Sequence, residues 1–454
     1  MIKGQVNELS TETFNNLHLD VKKQPGDEPI DDHFIKKREW NVKSSEFANL
    51  TTNPIRAIVE HLNVQPNPNK AFIPLSVGDP TVFGNLKAAD ETIQAVRNAI
   101  DEGKHNGYAH SAGSILAREA VCKYVAPHQG SVEPNDVILC SGCSSSLDLC
   151  IGAIADSGKN LLIPTPGFSI YRTLAISYGI EVRSYNLLPD KQWEVDLEQL
   201  EELMDEHTAA IVLTNPSNPC GSVFRKNHLL DIIALCEKYC IPIIADEIYE
   251  HFVFPGVEYH SVSSLSKNVP VLSCGGLTKR FLVPGWRMGW IVIHDRHDIF
   301  KELRKGLANL STRILGSNTL IQGALPEILE KTPTTFFDSI VETLYKHAKL
   351  AYDILCDAVG LKPIMPDGAM YMMIGIDIDN FPEYQNELEF VQALVKEQSV
   401  FCLPGQCFNY PNYMRIVLTV PEHLIWESCI RIADFCNRHY KNTFNPNLIE
   451  HLNW

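Results

Sequence analysis

The chain has 454 residues, 45% of them hydrophobic and 21% charged, with a formal net charge of −16. A chain this long is expected to form two domains, because single cores stop growing near ~250–300 residues. The negative charge argues against a general nucleic-acid or anionic-membrane binder, and with no apolar run of ~18 residues no transmembrane span is expected.

Residues 1–40 are polar and mixed in charge, with Glu8, Glu12, Asp20, Asp27, Glu28, Asp31 and Asp32. Transit peptides are poor in acids, so this stretch reads as a mobile tail. Residues 41–85 read as a loop-rich N-terminal arm that joins the smaller domain, with a short amphipathic helix from Ile55 to Leu62. The large domain is expected over 86–345. It opens with a helix at Glu91–Glu102, then a strand at Val137–Leu139, Ser141-Gly142-Cys143-Ser144, and a helix through Ala155. Strands at Leu161–Ile163, Ala210–Leu213 and Ile241–Ala245 alternate with helices at Tyr171–Tyr178 and His228–Tyr239. Further strands at Val271–Cys274 and Trp290–Ile293 precede a helical region over about 297–358. Continuous apolar strands separated by helices imply a mainly parallel sheet covered on both faces. A smaller α+β domain is expected over 346–454, with strands at Met370–Ile376 and Ile416–Val420 and a closing helix at Leu424–Tyr440. The thirteen cysteines are scattered, mostly in apolar runs such as those at Cys150, Cys236 and Cys240; Cys140 and Cys143 lie close together, but no second pair is placed for zinc. They read as reduced, buried thiols of a cytosolic protein, with no metal site expected.

In open α/β sheets, ligands sit beyond the carboxyl ends of the strands. Asn215-Pro216-Ser217-Asn218-Pro219-Cys220-Gly221, Asp246-Glu247-Ile248-Tyr249, Gly142-Cys143-Ser144 and Gly276-Leu277-Thr278-Lys279 all follow predicted strands, and Arg287 comes eight residues after Lys279 in Pro284-Gly285-Trp286-Arg287-Met288-Gly289. Read alone, Asp246 also fits a helix N-cap, Asn218 a turn, and Lys279 a solvated cation.

These segments, in this order and spacing, resemble the fold-type I, pyridoxal-phosphate (PLP) dependent aminotransferases. The resemblance runs over about 40 to 440 and implies a mainly parallel seven-stranded sheet flanked by helices, with a smaller α+β domain. It makes Lys279 the lysine that holds the cofactor covalently and later moves a proton. Asp246 would pair with the protonated pyridine nitrogen, and Tyr249 and Asn218 would hydrogen-bond the phenolic oxygen. Gly142, Cys143, Ser144 and Arg287 would surround the phosphate at a helix N-terminus. Phe168 would stack on the ring, or be a core phenylalanine. A serine common in the family three residues before the lysine is Gly276 here, so that contact is absent or replaced. Tyr108 would reach the phosphate from a neighbouring subunit, which implies a homodimer. Arg415 would grip the substrate α-carboxylate. Gly78 lies on a loop near it or in a plain turn. Arg313, four residues before Ser317-Asn318, would meet a distal carboxylate across the dimer, or be a helix-surface arginine.

The implied reaction moves the amino group of L-tyrosine to 2-oxoglutarate, giving 4-hydroxyphenylpyruvate and L-glutamate, in the cytoplasm. The alternatives are another transaminase of alanine or kynurenine type, a lyase on the same scaffold, and a non-catalytic binding protein.

Overall fold

The computed structural model describes residue 40, residues 42–60 and residues 64–441, so the tail expected over 1–40 lies almost entirely outside the described residues. The large sheet has eight strands: β1 (Val137–Cys140), β2 (Asn160–Thr165), β3 (Glu181–Leu188), β4 (Glu194–Val195), β5 (Thr208–Thr214), β6 (Ile243–Asp246), β7 (Val271–Gly276) and β8 (Gly289–His294). Their order is β1-β8-β7-β6-β5-β2-β3-β4. The expectation of seven strands is therefore corrected to eight. Near the sheet's rim, β3 opens on Glu181-Val182-Arg183-Ser184, only partly covered, so it lacks the apolar run that marks a central strand; β4 is two residues long.

The central strands are buried because helices cover both faces. Ile244, Val212 and Leu161 point into one core cluster, while Ile243, Ala245, Ile211, Leu213 and Leu162 point into the other. This is the two-residue side-chain alternation of a strand buried on each side. The direction of the strands matters more for function. β3, β2, β5, β6 and β7 pair in parallel, and β8 is antiparallel to both β7 and β1. The carboxyl ends of β1, β2, β5, β6 and β7 therefore share one edge, and β8 starts at that edge.

The helical region expected over 297–358 is three helices, Lys301–Ser311, Thr319–Lys331 and Thr334–Cys356. Gly316, at φ 90°, falls in the first break and Pro333 caps the last helix. The arm helix is Pro54–Glu60, and residues 61–63 lie outside the described set.

A second sheet has four antiparallel strands, β9 (Leu361–Pro363), β10 (Tyr371–Ile376), β11 (Leu403–Pro404) and β12 (Tyr413–Val417), in the order β9-β10-β12-β11. The strand expected at Ile416–Val420 is Tyr413–Val417; Leu418 and Val420 are buried but lie beyond the end of the ladder. Helices Thr334–Cys356, Glu387–Gln398 and Glu422–His439 pack here, and Phe390 meets Phe435 edge-on at 5.1 Å. Ile73–Pro74 pairs in parallel with Val400–Phe401, which ties the arm to this region.

All thirteen cysteines are free thiols and ten are buried. Cys240 is a correction: it is exposed, because the chain turns there with a left-handed φ of 55° after helix Lys226–Lys238. Among the described residues no helix is long and apolar enough to cross a membrane.

Candidate active site

At the shared edge of the large sheet lies a cavity of about 310 Å³. Lys279, Asp246, Tyr249, Asn218, Cys143, Ser144, Phe168, Arg287, Gly78 and Arg415 all line it. The sheet explains most of this convergence. Asp246 ends β6, Asn218 follows β5, Lys279 follows β7, Phe168 follows β2, and Gly142 links β1 to helix Cys143–Ile154. Arg287 precedes β8, the strand that begins where the others end.

Asp246 is 4% exposed. Its Oδ2 accepts the Tyr171 hydroxyl at 2.6 Å, and its Oδ1 accepts the Ile248 N–H at 3.3 Å and the Cys143 thiol at 3.7 Å. Burial raises its pKa; the Tyr171, Ile248 and Cys143 bonds and the charge of Lys279 oppose that rise. Burial, and then the neighbouring Asp246 charge, keep the Cys143 thiol protonated, with a pKa well above the ordinary value. The Lys279 Nζ donates to the Gly78 carbonyl at 2.7 Å and lies 6.0 Å from the Tyr249 ring centre.

At the start of helix Cys143–Ile154, Arg287 Nη2 donates to Ser141 O and Nη1 to Pro284 O, each at 3.0 Å. A Cβ at Gly142, where φ is 82°, would stand 2.3 Å from Arg287 Nη2. Only glycine lets the guanidinium lie against this helix start, where the first N–H groups have no partner within the helix. Gly276 has a similar reason: a Cβ there would come within 2.7 Å of Met288 O and 2.8 Å of Gly289 Cα. The side chain that the resemblance expected at this position has no room, and Thr278 lines the cavity two residues on.

Arg415 comes from the other sheet. It sits within β12, 3% exposed, with its guanidinium 4.3 Å from the Tyr371 ring centre and 5.0 Å from that of Phe408. Nη1 donates to Asn218 Oδ1 at 3.0 Å and Nη2 to Ser76 O at 2.9 Å, while the buried Nε has no hydrogen-bond partner among the described residues. Burial lowers its pKa from the usual value. Tyr249 and Tyr371 share a hydroxyl–hydroxyl bond of 2.8 Å, and burial followed by the Tyr371 contact raises the Tyr249 pKa well above normal. A Cβ at Gly78 would come within 3.0 Å of the Tyr371 hydroxyl.

Two expected residues stand apart. Tyr108 is 89% exposed, and Arg313 is exposed in the turn Thr312–Ile314 near Tyr178; neither lines the cavity of its own chain. Sequence reasoning gave no role to Tyr171, Tyr371, Thr278, Ser76 or the arm residues Asn53, Ile55 and Arg56, the last six of which border the cavity. Thr278 stands in the Lys279 segment itself, and Ser76 and Tyr371 stand in Ser76-Val77-Gly78-Asp79-Pro80 and Asp367-Gly368-Ala369-Met370-Tyr371, which share the resemblance; Tyr171 and the arm residues belong to no such segment.

The donor set suits a phosphate-bearing pyridine aldehyde. It offers an amine, a buried carboxylate with hydroxyl, thiol and amide donors but, among the described residues, no cation hydrogen-bonded to it, and a glycine-shaped cradle closed by a guanidinium. Arg415, which lines the cavity, adds a buried Nε donor with no hydrogen-bond partner among the described residues.

The family model for aminotransferase class I and II matches residues 70–432. Tyrosine aminotransferase of Mus musculus is 55% identical over 406 residues, covering 89% of both chains. S-alkyl-thiohydroximate lyase of Arabidopsis thaliana is 34% identical over 409 residues, covering 88% of each. The crystal structure of tyrosine aminotransferase from Leishmania infantum superposes with a TM-score of 0.86 at 34% identity, covering 89% of this chain and all of that one. The strand-end constellation and the matched length agree: this chain belongs to the class I and II aminotransferase family.

Proposed function

We propose that this chain is a PLP-dependent aminotransferase that moves the amino group of L-tyrosine to 2-oxoglutarate, giving 4-hydroxyphenylpyruvate and L-glutamate. The observation that carries the reading is the meeting of Lys279, Asp246, Arg287 and Arg415 on one cavity. The 55% identity to the mouse enzyme supports tyrosine as the amino donor. When bound, PLP supplies a covalent link to the substrate nitrogen and a sink for the electrons left on the α-carbon.

The chain's own groups divide the remaining work. Lys279 would hold the cofactor aldehyde, and Asp246 the protonated ring nitrogen. Tyr249 and Asn218 would hold the ring oxygen; Asn218 already accepts from Arg415 through Oδ1, which orients its amide donor. Phe168 would cover the ring face. Arg287, with the N–H groups of Cys143 and Ser144 beyond Gly142, would bind the phosphate. Arg415 binds the α-carboxylate, beside Gly78, and so sets which bond of the α-carbon faces Lys279. The Lys279 Nζ then takes the proton from that carbon. Tyr108 and Arg313 would complete a neighbouring subunit's site in a cytoplasmic homodimer.

The test is product analysis of the PLP-loaded protein with L-tyrosine and 2-oxoglutarate. Glutamate and 4-hydroxyphenylpyruvate in equal amounts are expected. Ammonia without glutamate would instead indicate a lyase, the activity named for the Arabidopsis relative.

A further inference from the structure

Tyr371 has no task in the reading above, yet it stands between two groups that the reading employs. It opens β10, is 2% exposed and borders the cavity. Tyr371 pairs with Val417 and Met373 with Arg415, so Tyr371 and Arg415 lie two ladder positions apart on one face of the small sheet. The Arg415 guanidinium is 4.3 Å from the centre of the Tyr371 ring. At its other end, the Tyr371 hydroxyl meets the Tyr249 hydroxyl at 2.8 Å, with the two rings edge-on at 5.8 Å and 81°.

A phenol hydroxyl has one proton to give and lone pairs with which to accept. Only one of the two protons can lie between the Tyr249 and Tyr371 oxygens. Among the described residues neither hydroxyl makes a second hydrogen bond, so either order is open until a third group claims one proton. On the reading above, the cofactor's phenolic oxygen claims the proton of Tyr249. The 2.8 Å bond is then made by the proton of Tyr371, with Tyr249 accepting. Arg415 favours that order, because a cation over a phenol ring stabilises negative charge on its oxygen and strengthens it as a donor. Donation into the Tyr249 oxygen polarises the Tyr249 O–H in turn, since hydrogen bonds in a chain reinforce one another. Asp246, Lys279 and Arg415 also face Tyr249, but among the described residues only Tyr371 hydrogen-bonds its hydroxyl.

We propose that Tyr371 is a positioning residue whose hydroxyl donates to Tyr249, and so aims and strengthens the Tyr249 donor toward the cofactor's phenolic oxygen. The assignment rests on the cofactor placement in the reading above. It adds a contribution from the small sheet to the cofactor side of the cavity, through the same ring that packs on the carboxylate-binding arginine.

The test reads the cofactor's spectrum rather than turnover. PLP joined to a lysine absorbs visible light, and the band changes as the joining nitrogen loses its proton. A hydrogen bond donated to the phenolic oxygen draws negative charge away from that proton and makes it more acidic, so a weaker donor moves the midpoint to higher pH. Wild-type, Tyr371→Phe, Tyr249→Phe and the double variant are loaded with PLP and titrated. Tyr371→Phe is expected to raise the midpoint by roughly 0.3–1 pH unit, the reach of one neutral hydrogen bond, and by less than Tyr249→Phe does. In the Tyr249→Phe background the same change is expected to do nothing. Tyr371→Phe keeps the ring on Arg415, so the dissociation constant for 3-phenylpropionate, measured by calorimetry, is expected to hold within about threefold. An unmoved or lowered midpoint in Tyr371→Phe overturns the proposal, and so does an equal rise in the Tyr249→Phe background. A loss of more than about tenfold in 3-phenylpropionate affinity with the midpoint unmoved gives the hydroxyl to the substrate carboxylate instead. Failure of the underlying reading shows separately: no visible band with PLP in the wild type, or a midpoint that Tyr249→Phe leaves in place, removes the proposal with it.

Discussion

The carboxyl edge of the eight-stranded sheet and the interior of the four-stranded sheet hold their functional side chains differently. Lys279, Asn218 and Arg287 stand in loops just beyond or before strands, and Asp246 is the last residue of β6. Parallel pairing brings these ends to one place, so each side chain needs only its own short segment. Arg415, by contrast, lies inside β12, between neighbours on β10 and β11. Its direction is fixed by the Tyr371 and Phe408 rings and by partners 197 and 339 residues away in the chain. On the proposed function, the first region would supply reacting groups, and the second would supply aim through packing. Damage to the first should therefore cost chemistry with little loss of fold, and damage to the second should cost substrate binding first.

The largest expected effect is at the sheet edge. Loss of a positioned proton-transfer group costs ~10²–10⁴-fold, and Lys279 would also hold the cofactor, so Lys279→Ala is expected to lower kcat by more than that. Among the described residues its Nζ hydrogen-bonds to Gly78 alone, so the melting temperature should hold. Retained turnover in a steady-state assay would break the comparison at its strongest point. A smaller effect is expected in the packed region. Phe408→Leu removes one ring from the Arg415 guanidinium, an interaction of about 0.5–2 kcal/mol. KM for the amino acid should rise roughly 2- to 30-fold, with a smaller change in kcat. An equal fall in kcat with KM unchanged would show that packing here governs chemistry as well.

The smallest effect sharpens the boundary between the regions. Tyr171→Phe removes a hydrogen bond that favours the ionised Asp246 carboxylate, whose pKa burial already raises. The pKa should rise further, so less of the carboxylate is ionised at a given acid pH. The acid limb of the kcat/KM profile should then move to higher pH, with activity near the optimum much less affected. An unmoved acid limb would show that Asp246 does not limit the reaction there.

Much of the site was legible because its chemistry is written in short segments. Gly276–Arg287, Asp246–Tyr249 and Asn215–Gly221 each carry their residues within a dozen positions, and each follows a strand marked by a continuous apolar run. Tyr171 and Tyr371 were not legible in this way. The Tyr171 hydroxyl meets Asp246 across 75 residues of chain, and Tyr249 meets Tyr371 across 122. Strand β3, next to the rim strand β4, escaped notice because its partial cover lets charged and polar residues interrupt the apolar pattern.

By itself the sequence determined the alternation of strands and helices, the buried core runs, the family and the residue types at the strand ends. Local periodicity and short spacing encode these, since a backbone turn joins residues only a few positions apart. Tertiary structure alone decided which distant groups share the cavity: Tyr171 behind Asp246, the two rings on Arg415, and the arm residues Ile55 and Arg56 at its wall. Contacts between separate segments depend on strand direction and side-chain packing, and no local pattern records either.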